Sequence, residues 1–275
     1  MFSEKIHDCL NKLTDLNGKV CFLTGAGISA ESGIRTFRGK DGYWTVGSDV
    51  YTPQEMATNM MFKKNPEECW RWYLMRFLIC RKALPNDGHY AIANLETQLA
   101  DRYSLITQNV DGLHLRAGSS MNKCFQIHGS INHMRCSVEC TDSLFPLPED
   151  CDKIYESEDF ESVRDILKCP KCGAMSRPHV LWFDEYYNEV HYKYDSAILA
   201  ANKSDLLIIA GTTLMTSLPA TIVDYYLNSY KPIITIDIEE GNASMAADRS
   251  YGGGFIRGKS AEVLPELANL LVKGD

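Results

Sequence analysis

The chain has 275 residues, 45% hydrophobic and 23% charged, enough for a full core with a smaller appended unit. Its net charge of −8 argues against tight, sequence-independent nucleic-acid binding, which rests on basic surface. No apolar run approaches the ~18 residues a bilayer span needs, so no membrane partner is expected.

The opening stretch, MFSEKIHDCLNKL, reads as an amphipathic helix with Ile6, Leu10 and Leu13 on one face. Glu4, Lys5 and Asp8 interrupt any signal-peptide core, and there is no Arg/Ser-rich transit character, so a cytoplasmic location is expected. Ten cysteines are many for such a chain. In a reducing compartment they are better read as metal ligands or buried thiols than as disulfides. Cys9, Cys21, Cys69, Cys80 and Cys124 sit in apolar helix or strand patterns and read as small buried hydrophobes.

Val20 to Thr24 is an apolar run that reads as a buried parallel strand. It leads into GAGISAESGIRTFRGKDGYW, Gly25 to Trp44. Gly25, Gly27 and Ala30 make G-x-G-x-x-A, with a short helical turn predicted from Ser29 to Gly33. Gly25 permits a tight turn, Gly27 lets backbone approach a pyrophosphate, and Ala30 lets helix and strand pack closely. The first free N–H groups of the helix would hold the phosphates. A small-residue turn in any α/β protein would read the same way. Asp41 and Asp49 have no strand before them, which weakens a hydride-transfer reading.

Periodicity is lost after Trp44, as in a mobile lid beside a phosphate loop, until Thr52-Pro53 caps a helix. Asn65-Pro66 opens another, running to about Leu84. On it Trp70, Tyr73, Phe77 and Cys80 recur at helical spacing, and Tyr73 and Arg76 share a face. Trp70 and Phe77 read as core, whereas Arg76 reads as surface or as a carboxylate partner. Pro85 to Gly88 breaks the chain before an amphipathic helix through Ile92, Leu95 and Leu99.

Tyr103 to Thr107 is a short strand, followed at once by Gln108, Asn109 and Asp111. A polar cluster at the end of a parallel strand is where α/β folds place ligand contacts, although an Asx-capped turn competes for Asn109 taken alone. Phe125 to Ile127 is another strand, ending in His128-Gly129-Ser130. A histidine there is a candidate general base.

Cys136 and Cys140 form one pair and Cys169 and Cys172 a second, C-x-x-C with Gly173 after it. Two thiolate pairs parted by an irregular acidic stretch read as a structural tetrahedral zinc site, with Cys151 able to replace Cys140. A redox C-x-x-C is the alternative, but it would open a helix after a strand. Arg177 to Glu185 is an extended segment able to pair with a partner strand. The α/β rhythm then resumes. Helices are predicted near Val190–Ala201, Pro219–Leu227 and Ser260–Leu271, and strands at Asp205–Ala210 and Pro232–Ile238. Strand–loop–helix repetition means a parallel sheet covered on both faces.

These segments resemble the sirtuin family of NAD-dependent protein deacylases. The resemblance rests on GAGIS at Gly25 to Ser29, SGIRTFRG at Ser32 to Gly39, and TQNVDGLH at Thr107 to His114. It continues through IHGS at Ile127 to Ser130, the cysteine pairs, RPHVLWF at Arg177 to Phe183, GTT at Gly211 to Thr213 and IRGKSAEVLPEL at Ile256 to Leu267. It implies one catalytic domain over 1–275: an α/β fold, a Rossmann-like parallel sheet with a smaller zinc-binding and helical subdomain. The core would comprise about 1–38, 85–132 and 180–275, and the small domain about 39–84 and 133–179.

The implied roles follow position by position. Gly25, Ala26 and Gly27 would hold the NAD pyrophosphate, with Ala30 also in the cofactor-binding set, and Thr36, Phe37 and Arg38 would lie in the cofactor loop. Gln108, Asn109 and Asp111 would line the nicotinamide and ribose pocket, with Gly211, Thr212, Thr213 and Asp237 also on the cofactor. Val180, Leu181, Trp182 and Phe183 would pair with the peptide carrying the acylated lysine. His128 would be the base, drawing a proton from the ribose hydroxyls as the acyl oxygen attacks C1′ and nicotinamide leaves. Lysine and O-acyl-ADP-ribose would be the products. Tyr73 and Arg76 resemble the pair found in the subgroup that removes succinyl and malonyl groups.

Four positions depart from the family pattern. Phe183-Asp184-Glu185 stands for Phe-Gly-Glu, Thr213 for Ser, and Asp237 for Asn, and the first cysteine pair is C-x-x-x-C. The competing readings are an NAD-cleaving or ADP-ribosyl-transferring enzyme on the same fold, and a non-catalytic NAD sensor.

Overall fold

The computed structural model describes residues 2–36, 52–157 and 159–273. Six parallel strands form the main sheet: β1 Val20–Thr24, β2 Tyr103–Thr107, β3 Cys124–Gln126, β7 Leu206–Ala210, β8 Ile233–Asp237 and β9 Gly254–Arg257. A second, antiparallel sheet holds β4 Gly129–Cys136, β5 Leu144–Pro146 and β6 Ser176–Val180. The main sheet runs β3-β2-β1-β7-β8-β9 and the second β5-β4-β6. With the second sheet set aside as an insertion, the main order is the 3-2-1-4-5-6 of a doubly wound dinucleotide fold.

The central strands are apolar on both sides because both faces are covered. Val20 and Phe22 of β1 join Leu206 and Ile208 of β7 in one core. That core is closed by the helices Glu4–Asp15, Asp87–Leu99 and Ser260–Lys273. Cys21 and Leu23 face the other way, onto the helices Tyr194–Asn202, Ser217–Asn228 and Asn242–Arg249. Ile6, Leu10 and Leu13 are buried as the first helix's periodicity requires.

A third core belongs to the insertions. Trp70, Tyr73, Leu74 and Phe77 of the helix Pro66–Lys82 pack with Ile131, Met134 and Trp182. Asn65 caps that helix, accepting from Glu68 N–H at 3.2 Å. Thr52 and Glu55 form a reciprocal capping box on the helix Pro53–Met56. Such caps contribute about 1 kcal/mol each, enough to place helix starts but not to fold them.

Several expectations shift. The helix predicted near Val190 to Ala201 is two, Glu189–Tyr192 and Tyr194–Asn202, broken at Lys193 with φ 52°. The helical turn after β1 is a 3-10 helix from Ala26 to Ser32. That changes the phase of its faces: Ile28 and Ser29 are buried and Ala30 is exposed. Ala30 therefore does not make the close helix–strand contact expected of it. The helix Asn242–Arg249 and β9 had no sequence reading.

Candidate active site

β1 and β7 are neighbours whose connections leave to opposite faces of the sheet, so a crevice opens at their carboxyl ends. Gly25 follows β1 and Gly211 follows β7. Gly25 N–H donates to Ala210 O at 3.0 Å and Gly27 N–H to Gly211 O at 2.8 Å. A Cβ on Gly27 would come within 2.5 Å of Gly211 Cα, and one on Gly25 within 2.6 Å of Thr212 Cβ. Gly211 itself has φ 63°, which favours glycine. The glycines thus serve the approach of two loops, and the crevice floor is bare backbone.

Asn109 and Asp111 turn into this crevice at the end of β2, and both are buried. Asn109 Nδ2 donates to Gly25 O at 3.1 Å and to Ser29 Oγ at 3.0 Å. Ser29 Oγ donates in turn to Asp111 Oδ2 at 2.7 Å, while Leu113 N–H donates to Oδ1 at 2.9 Å. Burial raises the Asp111 carboxyl above its ordinary pKa, opposed by those two hydrogen bonds and by Arg116 and Arg76. His89 Nε2 lies 3.4 Å from Ser29 Oγ, and His114 Nε2 2.9 Å from Thr24 Oγ1. Burial pushes His89 down to about 4 and holds His114 well below its ordinary value, so both rings are neutral.

Gln108 points along the crevice instead. Its Nε2 donates to Thr212 Oγ1 at 2.7 Å, and its Oε1 accepts from Thr216 Oγ1 at 3.1 Å. Thr213 is exposed nearby, its carbonyl 3.5 Å from Asn242 Nδ2. Asp237 ends β8, with Oδ1 taken by Ile238 N–H at 2.8 Å. Thr36 lies half-buried on the chain after the 3-10 helix, whereas Phe37, Arg38 and the aperiodic stretch to Tyr51 fall outside the described residues.

His128 sits where β3 gives way to β4. Gly129, at φ 84°, makes the turn against the His179 carbonyl, where a Cβ would have no room. His128 Nδ1 lies 3.0 Å from the main-chain oxygen of Gln108, and Nε2 lies 2.8 Å from Tyr187 Oη. Desolvation pushes the imidazole down to about 4, against the Gln108 carbonyl, which favours the charged form. The ring is therefore neutral at physiological pH and able to accept a proton.

Beside His128 runs the extended segment. Val180 pairs with Gly129 in the second sheet. The N–H groups beyond it are used within the chain: Leu181 to His128 O at 3.0 Å, Trp182 to Glu185 Oε2 at 3.0 Å, and Phe183 to Ala57 O at 2.9 Å. The two residues after Phe183 explain the departure there. Asp184 accepts from Asn59 N–H at 2.7 Å and Met60 N–H at 3.1 Å, capping the helix Asn59–Lys64. Glu185 pairs with Arg177, which also stacks 3.3 Å over the Trp182 ring. The segment is thus bolted to both insertions.

Tyr73 and Arg76 are both buried, at 3% and 6% exposure, so the surface reading of Arg76 is excluded. Tyr73 Oη accepts from Trp182 Nε1–H at 2.9 Å, and the Arg76 guanidinium lies 4.7 Å from the Trp72 ring centroid.

The four expected sulfurs converge. Cys136, Cys140, Cys169 and Cys172 Sγ all lie within 4.8 Å of one another. Cys136–Cys172 is 3.6 Å and Cys140–Cys169 3.7 Å. Zn–S bonds of about 2.3 Å in a tetrahedron give S–S edges of about 3.8 Å, whereas a disulfide needs about 2.05 Å. The donor set therefore fits structural zinc, with all four positions filled by protein. Cys151 is elsewhere, its thiol bonded to Pro148 O at 2.8 Å.

Sequence reasoning gave no role to Ser29, His89 or Tyr187. Ser29 stands inside GAGIS and His89 three residues after the Asn86 cap, but only folding brings Ser29 to Asn109 and Asp111 and His89 to Ser29.

The fold and site together define a Rossmann-type protein with a dinucleotide crevice, a neutral imidazole held by the main chain of Gln108 and a four-cysteine set that fits structural zinc. The Sir2 family profile matches residues 25–217, and the chain belongs to that family. It is 38% identical over 245 residues to NAD-dependent protein deacylase 1 of Archaeoglobus fulgidus, covering 89% of each chain. It is 37% identical over 249 residues to an NAD-dependent protein deacylase of Pyrococcus abyssi, covering 90% of each. Among solved structures, a Sir2 homologue–NAD complex aligns at TM-score 0.78 with 34% identity, covering 98% of this chain and 94% of that one. A Sir2–p53 peptide–NAD+ complex aligns at 0.75 with 26% identity, covering 98% of each.

Proposed function

We propose that the chain is an NAD-dependent protein-lysine deacylase that releases nicotinamide and O-acyl-ADP-ribose. The observation that carries this is the neutral His128 imidazole, its Nδ1 held by the Gln108 main chain at the end of β2 and its own carbonyl by Leu181 N–H of the peptide-side segment. NAD supplies the ribose carbon that receives the acyl oxygen, with nicotinamide as the leaving group. The fit is supported by the floor at Gly25, Gly27 and Gly211, where any Cβ would collide.

The chain's residues divide the work. His128 Nε2 takes the ribose proton. Asn109 and Asp111, held rigid through Ser29, present fixed polar groups to nicotinamide and ribose. Gln108, Thr212, Thr213 and Asp237 line the rest of the cofactor path, with Ala26 at the pyrophosphate turn. The acylated peptide lies along Val180 to Phe183. Because the N–H groups of Leu181 to Phe183 are used internally, pairing there rests on carbonyls, of which that of Trp182 already accepts from Glu185 N–H at 3.0 Å.

Acidic acyl groups, as well as acetyl, are processed in this reading. A succinyl or malonyl carboxylate in an apolar tunnel needs a cation, and Arg76 supplies a buried guanidinium. Tyr73 accepts from Trp182 and keeps its own O–H to donate. The reading also carries a cytoplasmic location, consistent with ten cysteines none of which is in a disulfide, and no direct nucleic-acid contact, consistent with the charge of −8. No described helix is long and apolar enough to cross a membrane.

Incubation with NAD, with and without acylated peptide, tests the activity. Nicotinamide release that depends on peptide is the expected result. Peptide-independent release would make the protein an NAD hydrolase, and no release a sensor.

A further inference from the structure

His128 is held from two sides. The main-chain oxygen of Gln108, 3.0 Å from Nδ1, can only accept, so Nδ1 carries the ring proton. Nε2 then bears a lone pair, and the group facing it at 2.8 Å is the Tyr187 hydroxyl, which must donate. Tyr187 lies on the chain between β6 and the helix Glu189–Tyr192, two residues beyond the anchored Glu185. Its ring stands 5.8 Å from the imidazole at 31°, and Tyr194 backs it at 5.9 Å. The ring is thus fixed by packing and its hydroxyl by geometry.

We propose that Tyr187 is a positioning residue for the base: its hydroxyl holds the Nε2 lone pair aimed at the crevice and yields that place to the ribose hydroxyl whose proton His128 takes. The inference rests on His128 being the base. One O–H···N bond replaces another, so the lone pair is never stripped bare on the way into the complex. Burial pushes the Tyr187 phenol up to about 12, which keeps it a donor at working pH. No carboxylate or cation among the described residues bears on the imidazole, leaving Tyr187 as the side chain that orients it.

Tyr187→Phe keeps the ring and removes the donor. Two readouts apply: the nitrogen-15 resonance of His128 Nε2 in the free protein at neutral pH, and steady-state kinetics with saturating peptide. The Nε2 resonance is expected to lose the displacement an accepted hydrogen bond causes. kcat/KM for NAD is expected to fall about threefold to tenfold, the range of one lost neutral hydrogen bond, with kcat within about twofold, because the contact exists only before the ribose arrives. Tyr194→Phe should leave both readouts as in wild type. Should the Phe variant fold poorly, a fluorinated tyrosine at position 187 keeps the ring and strengthens the donor. It must displace the Nε2 resonance further. An unmoved resonance in both variants, or wild-type kcat/KM for NAD in Tyr187→Phe, overturns the proposal. Activity surviving in His128→Ala would instead remove the base reading, a separate result.

Discussion

Ser29 Oγ and Asp111 Oδ2 lie 2.7 Å apart, tying the loop after β1 to the loop after β2. Ser29 also accepts from Asn109 Nδ2, so one hydroxyl organises both buried polar residues. Ser29→Ala is expected to cost about 1–3 kcal/mol, because it leaves buried groups unpaired. Denaturant unfolding would measure that loss, and NAD turnover should fall with it. A variant as stable and active as wild type would show the chain of contacts to be idle.

His128→Ala should retain NAD binding and lose acyl transfer by at least ~100-fold. Calorimetric titration with NAD and single-turnover product analysis separate the two. Near-normal deacylation by the folded variant would contradict the base role.

Stability should fall on mild acidification. His89 and His128 are held at about 4 in the folded protein, against 6.5 when exposed, mainly by burial. Groups depressed in this way are neutral in both states above pH 6.5, and there their contribution to stability is intact. Between pH 6.5 and about 4 the unfolded chain binds protons that the folded chain refuses, and stability is lost. His114 and His179 act in the same direction, while Asp111, raised by burial, opposes them. The expected outcome is a midpoint denaturant concentration that drops steadily over that window, and a flat profile would show that these imidazoles are not buried in solution.

Cys172→Ser, or removal of metal by a chelator, should unfold the second sheet and lower activity indirectly, since structural zinc contributes folding energy outright. Metal analysis of freshly purified protein should find about one zinc per chain. Folded, metal-free protein would refute the assignment.

Arg76→Met should impair succinyl- and malonyl-peptide turnover by at least tenfold more than acetyl-peptide turnover, since losing a charged partner costs about 1.5–3 kcal/mol. Equal losses on all three peptides would assign Arg76 a packing role against Trp72.

Much of the fold was legible because it is written in local patterns. β2 is found at the predicted residues, and the helix opened by Asn65-Pro66 begins at Pro66 as its cap demands. The cysteine pairs were readable because a metal with fixed geometry needs ligands at short spacing. Ala30 was misread because the sequence does not say whether a short turn winds as α or 3-10, and that choice moves a residue from core to surface.

What the sequence by itself determined, then, is most of the elements, the glycines, the cysteines of the metal set and the candidate base, since each rests on a few neighbouring residues. The tertiary structure alone decided the partners. Ser29 meets Asp111 across 82 positions, Tyr73 meets Trp182 across 109, and His128 meets Tyr187 across 59. Those contacts arise from sheet order and from how the insertions fold back, and no local preference encodes the distance between residues so far apart in the chain.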